Sequence, residues 1–341
     1  MTSRPDARST RQTRQTRPTR QTRPTPAEPP RGAVPFTLSH AAAVLPAIRR
    51  TGRARGPLVA SALVLGSFAP DTFYFADAVV GGVMQYGGFT HSLPGVLTAD
   101  AVLTAVLAAC WLLLREPLVA LLPRARRGRV HALLRGEDWR GGPGGRGARR
   151  PAVLALWFYL SAVLGSLTHV AWDSFTHLDR WGTNAMPWLG EPIAYGYPLY
   201  TYLQYGSSAA AAGALLWFAA TAVRRMPDRP APSAVPVLSR AEVLGSALLV
   251  AGCTAAGVTT RVMRFFTYYD RVRSPLDIIP TVCFGAGAGL AVGLLLYGAL
   301  VRLRHRRPGP DRDDRDDRDD RDDRGRRHPA DGEAPAPLAT R

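Results

Sequence analysis

The sequence contains no lysine, so all 43 of its basic residues are arginines. Cysteine is nearly as scarce: Cys110, Cys253 and Cys283 each lie inside an apolar run, and no C-x-x-C spacing occurs. This pattern excludes a disulfide framework and a thiolate metal site. The phosphate-binding signature G-x-x-x-x-G-K-[ST], the nucleophile signature G-x-S-x-G and a G-x-G-x-x-G in a strand–helix context are absent too.

Hydropathy divides the chain into three parts, although the mean hydropathy of -0.05 resembles that of a soluble protein. Residues 1–33 repeat Arg-Gln-Thr and Arg-Pro-Thr units, and residues 304–341 contain the run DRDDRDDRDDRDDR. Neither tail has enough apolar side chains to offset the entropy lost on ordering, so we predict that both are disordered. Residues 34–303 form the predicted folded domain.

Six apolar runs within the domain have about the length of a transmembrane helix. They cover residues 57–79, 95–114, 152–171, 206–223, 243–260 and 280–301. Because roughly 20 apolar helical residues cross about 30 Å of hydrocarbon, we predict an all-α, polytopic helical membrane protein with about six transmembrane helices. A shorter run at 36–48 covers only about half that distance, which predicts a re-entrant or interfacial helix.

Arginines cluster in four segments beside these runs, at 49–55, 115–150, 224–242 and 302–307. If six spans alternate in direction, all four segments lie on one side, which the positive-inside rule assigns to the cytoplasm. We therefore expect a multi-pass protein of the plasma membrane with both termini in the cytoplasm. The loop 261–277 conflicts with this scheme, because its four arginines would lie outside.

A net charge of +17 would ordinarily suggest nucleic acid as a partner. Here the arginines lie in tails and in loops beside apolar runs, where anionic lipid headgroups attract them. We expect membrane lipids and a lipid-linked substrate as partners, and no nucleic acid. Gly285, Gly289 and Gly293 form a stripe typical of helix packing, either between spans of one chain or between copies in a homo-oligomer.

Four of the seven histidines lie in or beside apolar runs, where an ionisable side chain is costly and usually functional. These four are His40, His91, His169 and His177. The strongest local pattern is THVAWDSFTH at 168–177, in which His169, Asp173 and His177 are spaced four residues apart. On a helix this spacing places them along one face, where imidazole and carboxylate can bind one cation. A helix-end Asp–His ion pair is the alternative.

Three further residues converge with this pattern under the predicted topology. Asp71 follows Pro70 near the outer end of the first run, His91 begins the second, and His40 begins the short helix that runs antiparallel to the first. Taken singly, each is explained as a helix cap or a turn former. Together, four segments place a histidine or an aspartate in the outer half of the membrane.

The sequence therefore predicts a metal site with a catalytic group beside it. The predicted ligands are His40, Asp71, His91, His169 and Asp173, and His177 is the catalytic candidate. Imidazole with carboxylate favours zinc, with manganese or iron as alternatives, over calcium, which prefers oxygen alone. A water activated by such a metal, with a pKa near ~7, would hydrolyse a lipid-linked or phosphate-ester substrate. Two alternatives remain open: an ion, proton or metal transporter, and a non-catalytic membrane scaffold.

The blocks that hold these residues also resemble known proteins. They are PFTLSHAAAVLP (35–46), GSFAPD (66–71), FTHSLPG (89–95), GSLTHVAWDSFTH (165–177) and YPLYTYLQYGSS (197–208). Over roughly residues 34–302 they resemble a bacterial membrane family of unknown function. More loosely, the order of histidines and aspartates is similar to that of the membrane-bound metal-dependent hydrolases, a group distantly similar to zinc-dependent phospholipase C. The resemblance implies the same five metal ligands, whereas His177 belongs only to the narrower family block.

Overall fold

A computed structural model describes residues 37–136, 151–272 and 275–305. The predicted tails lie outside these residues, except for Arg304 and His305 at the end of the last helix. The part of the basic segment 115–150 that follows residue 136 also lies outside them. The prediction that both tails are disordered therefore stays a prediction.

Five helices are long and apolar enough to cross a membrane, which confirms the all-α membrane fold. They are α6 (Ala99–Ala120), α8 (Pro151–Thr176), α10 (Leu199–Arg225), α11 (Arg240–Tyr268) and α12 (Pro275–Arg304). Each overlaps one of the predicted apolar runs and ends beyond it, although α6 begins four residues after the start of its run. Few of the large apolar side chains on these helices are buried within the described chain, as expected for surfaces that face lipid.

The predicted span at 57–79 is not a single long helix. It consists of α2 (Ala60–Gly66), a 3-10 turn at Ala69–Asp71, and α3 (Thr72–Ala76). Pro70 has no backbone N–H and its ring clashes with the preceding turn, so α2 cannot continue through it. The break leaves Asp71 in the interior of the bundle, between two short helices.

The predicted short helix at 36–48 is also divided. Within the described residues it comprises a 3-10 turn at Thr37–His40, α1 (Ala41–Val44) and a second 3-10 turn at Leu45–Ala47. It packs against α2, α8 and α10. Whether this segment is re-entrant or interfacial with respect to a membrane stays a prediction.

Shorter elements join the long helices. They are a 3-10 turn at Val83–Tyr86, α4 (Gly87–Thr90), α5 (Leu93–Leu97), α7 (Arg124–Arg135), α9 (Trp181–Ala185), a 3-10 turn at Pro187–Gly190, and the antiparallel strands β1 (Pro192–Ala194) and β2 (Tyr197–Pro198). All but α7 connect helices at the end of the bundle where α6 and α10 begin. That end also holds the predicted site residues.

Two glycines bring α2 against α8. A Cβ atom at Gly66 would overlap the backbone of Ala162, and one at Gly165 would overlap the backbone of Leu63. The Ser166 hydroxyl donates a 3.0 Å hydrogen bond to the Gly66 carbonyl across the same contact. This close approach brings the turn that follows α2 alongside the last third of α8.

The glycine stripe of α12 packs against α11 of the same chain. A Cβ atom at Gly285, Gly289 or Gly293 would overlap the residues of α11 that face it. The stripe therefore makes the closest helix pair of the described chain, which is the intramolecular one of the two predicted arrangements. Whether copies of the chain also form a homo-oligomer stays a prediction.

The basic segment that conflicts with the arginine rule starts inside a helix. Arg261 and Arg264 belong to α11, and both reach Asp77, which follows α3. Burial raises the pKa of the Asp77 carboxyl, but the hydrogen bond from Arg261 and those from nearby backbone N–H groups lower it by more. These two arginines are thus compensated locally.

Candidate metal centre

Asp71, His91, His169 and Asp173 meet at one point, and each of them is buried. Each offers one ligand atom, and these four atoms all lie within 4.8 Å of one another. Asp71 closes the 3-10 turn after α2, and His91 follows the last residue of α4. His169 and Asp173 lie one turn apart on α8, as the i, i+4 spacing predicts.

The distances between these atoms suit coordination of one ion. His91 Nε2 lies 3.5 Å from Asp71 Oδ1 and 3.5 Å from Asp173 Oδ2. His169 Nε2 lies 3.5 Å from Asp71 Oδ1 and 3.3 Å from Asp173 Oδ2. Ligands bound about 2.0–2.1 Å from a tetrahedral zinc lie about 3.3–3.4 Å from one another. The four His–Asp separations therefore match the distance between neighbouring ligands of such an ion, and the other two pairs lie within 4.8 Å.

Both imidazoles are held in the orientation that a metal ligand needs. His169 Nδ1 lies 2.8 Å from the Ser67 carbonyl, and His91 Nδ1 lies 2.8 Å from the Gly87 carbonyl. Since a carbonyl only accepts, each Nδ1 carries the hydrogen and each Nε2 keeps its lone pair. Backbone carbonyls that fix the ring and tautomer in this way are the usual outer partners of metal-binding histidines.

The second oxygen of Asp71 has a partner of its own. The hydroxyl of Thr37 donates a short hydrogen bond to Asp71 Oδ2, which leaves Oδ1 to face the histidines. The hydroxyl of Thr90 donates 2.7 Å to the Pro70 carbonyl and so ties the Asp71 turn to α4. Sequence reasoning assigned no role to either threonine, although each lies close to a predicted ligand, Thr37 to His40 and Thr90 to His91.

His40, a predicted ligand, lies beside the four-residue group and outside it. Its ring stacks on that of His169 with centroids 3.8 Å apart, and its Nε2 lies 3.4 Å from Asp173 Oδ1. That oxygen is the one that points away from His91 and His169. His40 thus contacts the group through the far side of Asp173.

His177, the predicted catalytic residue, approaches the same oxygen from the end of α8. Its Nδ1 lies 3.5 Å from Asp173 Oδ1, and its Nε2 lies 2.9 Å from the side-chain amide of Gln204. Gln204 is buried on the first turns of α10. The spacing within THVAWDSFTH does not reveal this partner, because Gln204 comes from a separate helix and carries no ligand chemistry of its own.

Several buried atoms of the group lack hydrogen-bond partners among the described residues. They are Asp71 Oδ1, His169 Nε2 and Asp173 Oδ1. Burying a carboxylate oxygen or an imidazole nitrogen without a partner is costly. In the described part of the chain, neither aspartate forms an ion pair with an arginine; their charged partners are histidines. Two carboxylates and two imidazole nitrogens are donors that fit a divalent transition metal.

Asp100 is a further buried carboxylate near this end of the bundle. It lies in the first turn of α6, is fully buried, and neither of its oxygens has a hydrogen-bond partner among the described residues. Sequence reasoning assigned it no chemistry. The three histidines interpreted as incidental are elsewhere: His131 lies near Glu116, His305 near Glu242, and His328 outside the described residues.

The model of one protein family, a domain of unknown function (DUF4184), matches residues 34–299. The match contains the whole four-residue group together with His40 and His177. No curated protein and no solved structure matches the chain. A function therefore has to be argued from the site itself.

Proposed function

The chain belongs to the DUF4184 family, and we propose that this integral membrane protein is a metal-dependent hydrolase whose Asp71–His91–His169–Asp173 group binds a divalent transition metal. One observation carries the proposal: the Nε2 atoms of His91 and His169 each lie 3.3–3.5 Å from a buried oxygen of Asp71 and of Asp173, and backbone carbonyls hold both rings from behind. Ion pairing alone does not require four side chains to aim at one point.

The donor set favours zinc, with manganese or iron as alternatives, because two nitrogens and two carboxylate oxygens suit these ions better than calcium. Such an ion would lower the pKa of a water toward ~7 and supply a nucleophile at neutral pH. The buried position of all four ligands keeps other water away from the group.

His177 is the proposed general base. Its Nδ1 faces Asp173 Oδ1, and its Nε2 is held by Gln204, so the ring is fixed at the edge of the group. In the proposed reaction the water oxygen bonds to the phosphorus or carbonyl carbon of an ester while the bond to the leaving oxygen breaks. Because the Gln204 amide nitrogen donates to His177 Nε2, that ring nitrogen carries no hydrogen, and it takes the proton from the water and returns it to the leaving oxygen.

The proposed substrate is lipid-linked or a phosphate ester. The group lies at the ends of the apolar helices α6, α8 and α10. If these helices span the membrane, their ends lie near the polar part of a lipid, which supports such a substrate. We also propose the plasma membrane as the location, with both termini in the cytoplasm. Support comes from the arginine-rich segments and from the compensation of Arg261 and Arg264 by Asp77.

Metal content of the detergent-purified protein tests the proposal first. We expect about one transition-metal ion per wild-type chain by elemental analysis, and a large loss in His169→Ala. His305→Ala is the matched control, because His305 is paired with Glu242 at the other end of the bundle. Equal metal content in the wild type and His169→Ala would refute the site. Phosphodiester hydrolysis that depends on added metal and is lost in His177→Ala would then support the reaction.

Asp100 favours transport as the second candidate. A fully buried carboxylate without a described hydrogen-bond partner, in the first turn of a long apolar helix, is typical of residues that carry protons or ions. Transport predicts metal or proton flux into proteoliposomes that Asp100→Asn abolishes. A hydrolase predicts that flux is absent and that product accumulates. A scaffold predicts neither, with metal-independent stability.

A further inference from the structure

A cavity of about 190 Å³ lies between α1, α8 and α10, directly beside the candidate metal centre. His40 belongs both to its lining and to the residues that contact Asp173. Ala43 lines it from α1, Trp172 from α8 and Ala211 from α10. A molecule in this cavity is therefore separated from the ligands of the centre by one imidazole ring.

The cavity is lined mainly by apolar side chains. Its two serines are already engaged: Ser207 accepts a 3.2 Å bond from Trp172 Nε1 and donates to the Gln204 carbonyl, and Ser39 donates 3.4 Å to the Ser208 hydroxyl. The remaining lining, apart from His40, is alanine and tryptophan. Apolar cavities of this kind exclude water and bind apolar groups.

The mouth of the cavity is continuous with the surface that faces lipid. Ala43 and Trp172 are exposed at its rim. Almost none of the apolar stretch of α10 is buried inside the protein, so that helix meets hydrocarbon along most of its length. A chain lying in the plane of the membrane can thus reach the cavity without passing through water.

We propose that this cavity binds the hydrocarbon chain of an amphiphilic substrate, which enters sideways from the bilayer and holds its ester group at His40, beside the metal centre. The inference rests on the proposed hydrolase function and gives its substrate class: a membrane lipid or lipid-linked ester. His40 is then the boundary between the apolar and the polar parts of the bound molecule, since it contacts both.

A matched pair of substitutions on α10 tests the site. Ala211→Phe fills the cavity, whereas Ala212→Phe adds the same side chain to the neighbouring exposed position outside it. For Ala211→Phe we expect kcat/KM for a dioleoyl phospholipid to fall about tenfold more than for a water-soluble nitrophenyl phosphodiester. Ala212→Phe should leave that ratio at the wild-type value. If the ratio of kcat/KM for the phospholipid to kcat/KM for the phosphodiester is the same in Ala211→Phe and Ala212→Phe, the proposal is overturned.

A binding measurement separates this proposal from the reaction. Wild-type protein in nanodiscs is photolabelled with a phospholipid that carries a diazirine at the end of one acyl chain, and the labelled residues are mapped by mass spectrometry. We expect label on Ser39 and on buried His40, lost in Ala211→Phe and kept in Ala212→Phe. Absence of label there, or equal label in both variants, overturns the chain site. Label without any hydrolysis supports the site and refutes the hydrolase.

If Ala211→Phe does not fold, Ala43→Leu narrows the cavity from the opposite wall and the same ratio and labelling pattern are read. Metal content is measured on every variant. A variant that keeps its metal but loses the label locates the defect in the cavity and not in the centre.

Discussion

Near each end of α6 the bundle buries carboxylates beside histidines, but the residues that offset the negative charge differ between the two ends. At the arginine-rich end, Glu116 lies 2.6 Å from Arg115 and 2.6 Å from Arg302, with His131 at 3.8 Å. At the other end, roughly 24 Å away along the helix at about 1.5 Å per residue, Asp71 and Asp173 meet histidines only. In the first cluster, the arginine side chains of the protein itself supply the positive charge.

This difference separates a structural ion-pair cluster from a ligand site. Each oxygen of Glu116 has a guanidinium beside it, so nothing further is needed to offset its burial. The aspartates at the other end keep buried oxygens without hydrogen-bond partners in the described chain. In the proposed function, a cation from solution would complete that group in the way that arginine completes the other.

The largest expected effect comes from removing a carboxylate charge at the candidate centre. Asp173→Asn keeps the shape of the side chain that touches His91 and His169, yet it loses the negative charge. We expect the dissociation constant for zinc to rise at least about 100-fold, since even an outer-shell partner is worth roughly 10–100-fold. Competition with a metal buffer measures it in detergent.

Glu116→Gln is the control for that substitution, because it makes the same chemical change in the cluster completed by arginines. Its zinc affinity should equal that of the wild type. A similar loss of affinity in both variants would show that the comparison between the two ends is wrong.

Removal of metal should lower the stability of the chain only through the Asp71–His91–His169–Asp173 group. An ion that binds the folded chain alone stabilises it by about 2.7 kcal/mol at a free concentration 100 times its dissociation constant. We expect the wild type and Glu116→Gln to melt several degrees lower after chelation, and His169→Ala to melt at the same temperature with or without chelator. A chelator effect that persists in His169→Ala would place the ion elsewhere.

Much of this comparison is visible in the sequence. Five of the six apolar runs are long helices because their length and composition alone are sufficient for a span. His169 and Asp173 share a face because they are four residues apart on α8. The topology inferred from the arginine distribution predicts that Asp71 and His91 approach them, and the structure brings these four residues together.

The remainder depends on contacts between segments distant in the chain. The 57–79 run breaks at Pro70, and hydropathy averaged over a window does not register one missing N–H. His40 stacks on His169 and lies outside the four-residue group. Its position depends on ring orientation, which the order of residues in the sequence does not determine. Gln204 holds His177 from another helix, and Arg261 pairs with Asp77 across 184 residues.

A moderate loss of stability is expected when the arginine-completed cluster is broken. Glu116→Gln leaves Arg302 and Arg115 without their carboxylate at a buried position, which costs about 1–3 kcal/mol. The melting temperature should fall by a few degrees. Combining it with Arg302→Gln should cost less than the sum of the two single changes, because both break the same contact. Additive losses would mean that the two residues act independently.

The smallest effect expected is a pH dependence that belongs to His131 alone. Burial lowers the pKa of His131, Arg115 lowers it further, and Glu116 raises it by less. The folded chain therefore binds this proton more weakly than the unfolded chain, so stability is full above about pH 6.5 and declines as the pH falls below it. His131→Asn should remove roughly 1 kcal/mol or less of that decline. Melting curves of both proteins from pH 7.5 to 5.5, each saturated with metal, isolate the difference because the histidines of the other cluster titrate equally in both. Parallel curves would show that His131 is no more sensitive to protons when folded than when unfolded.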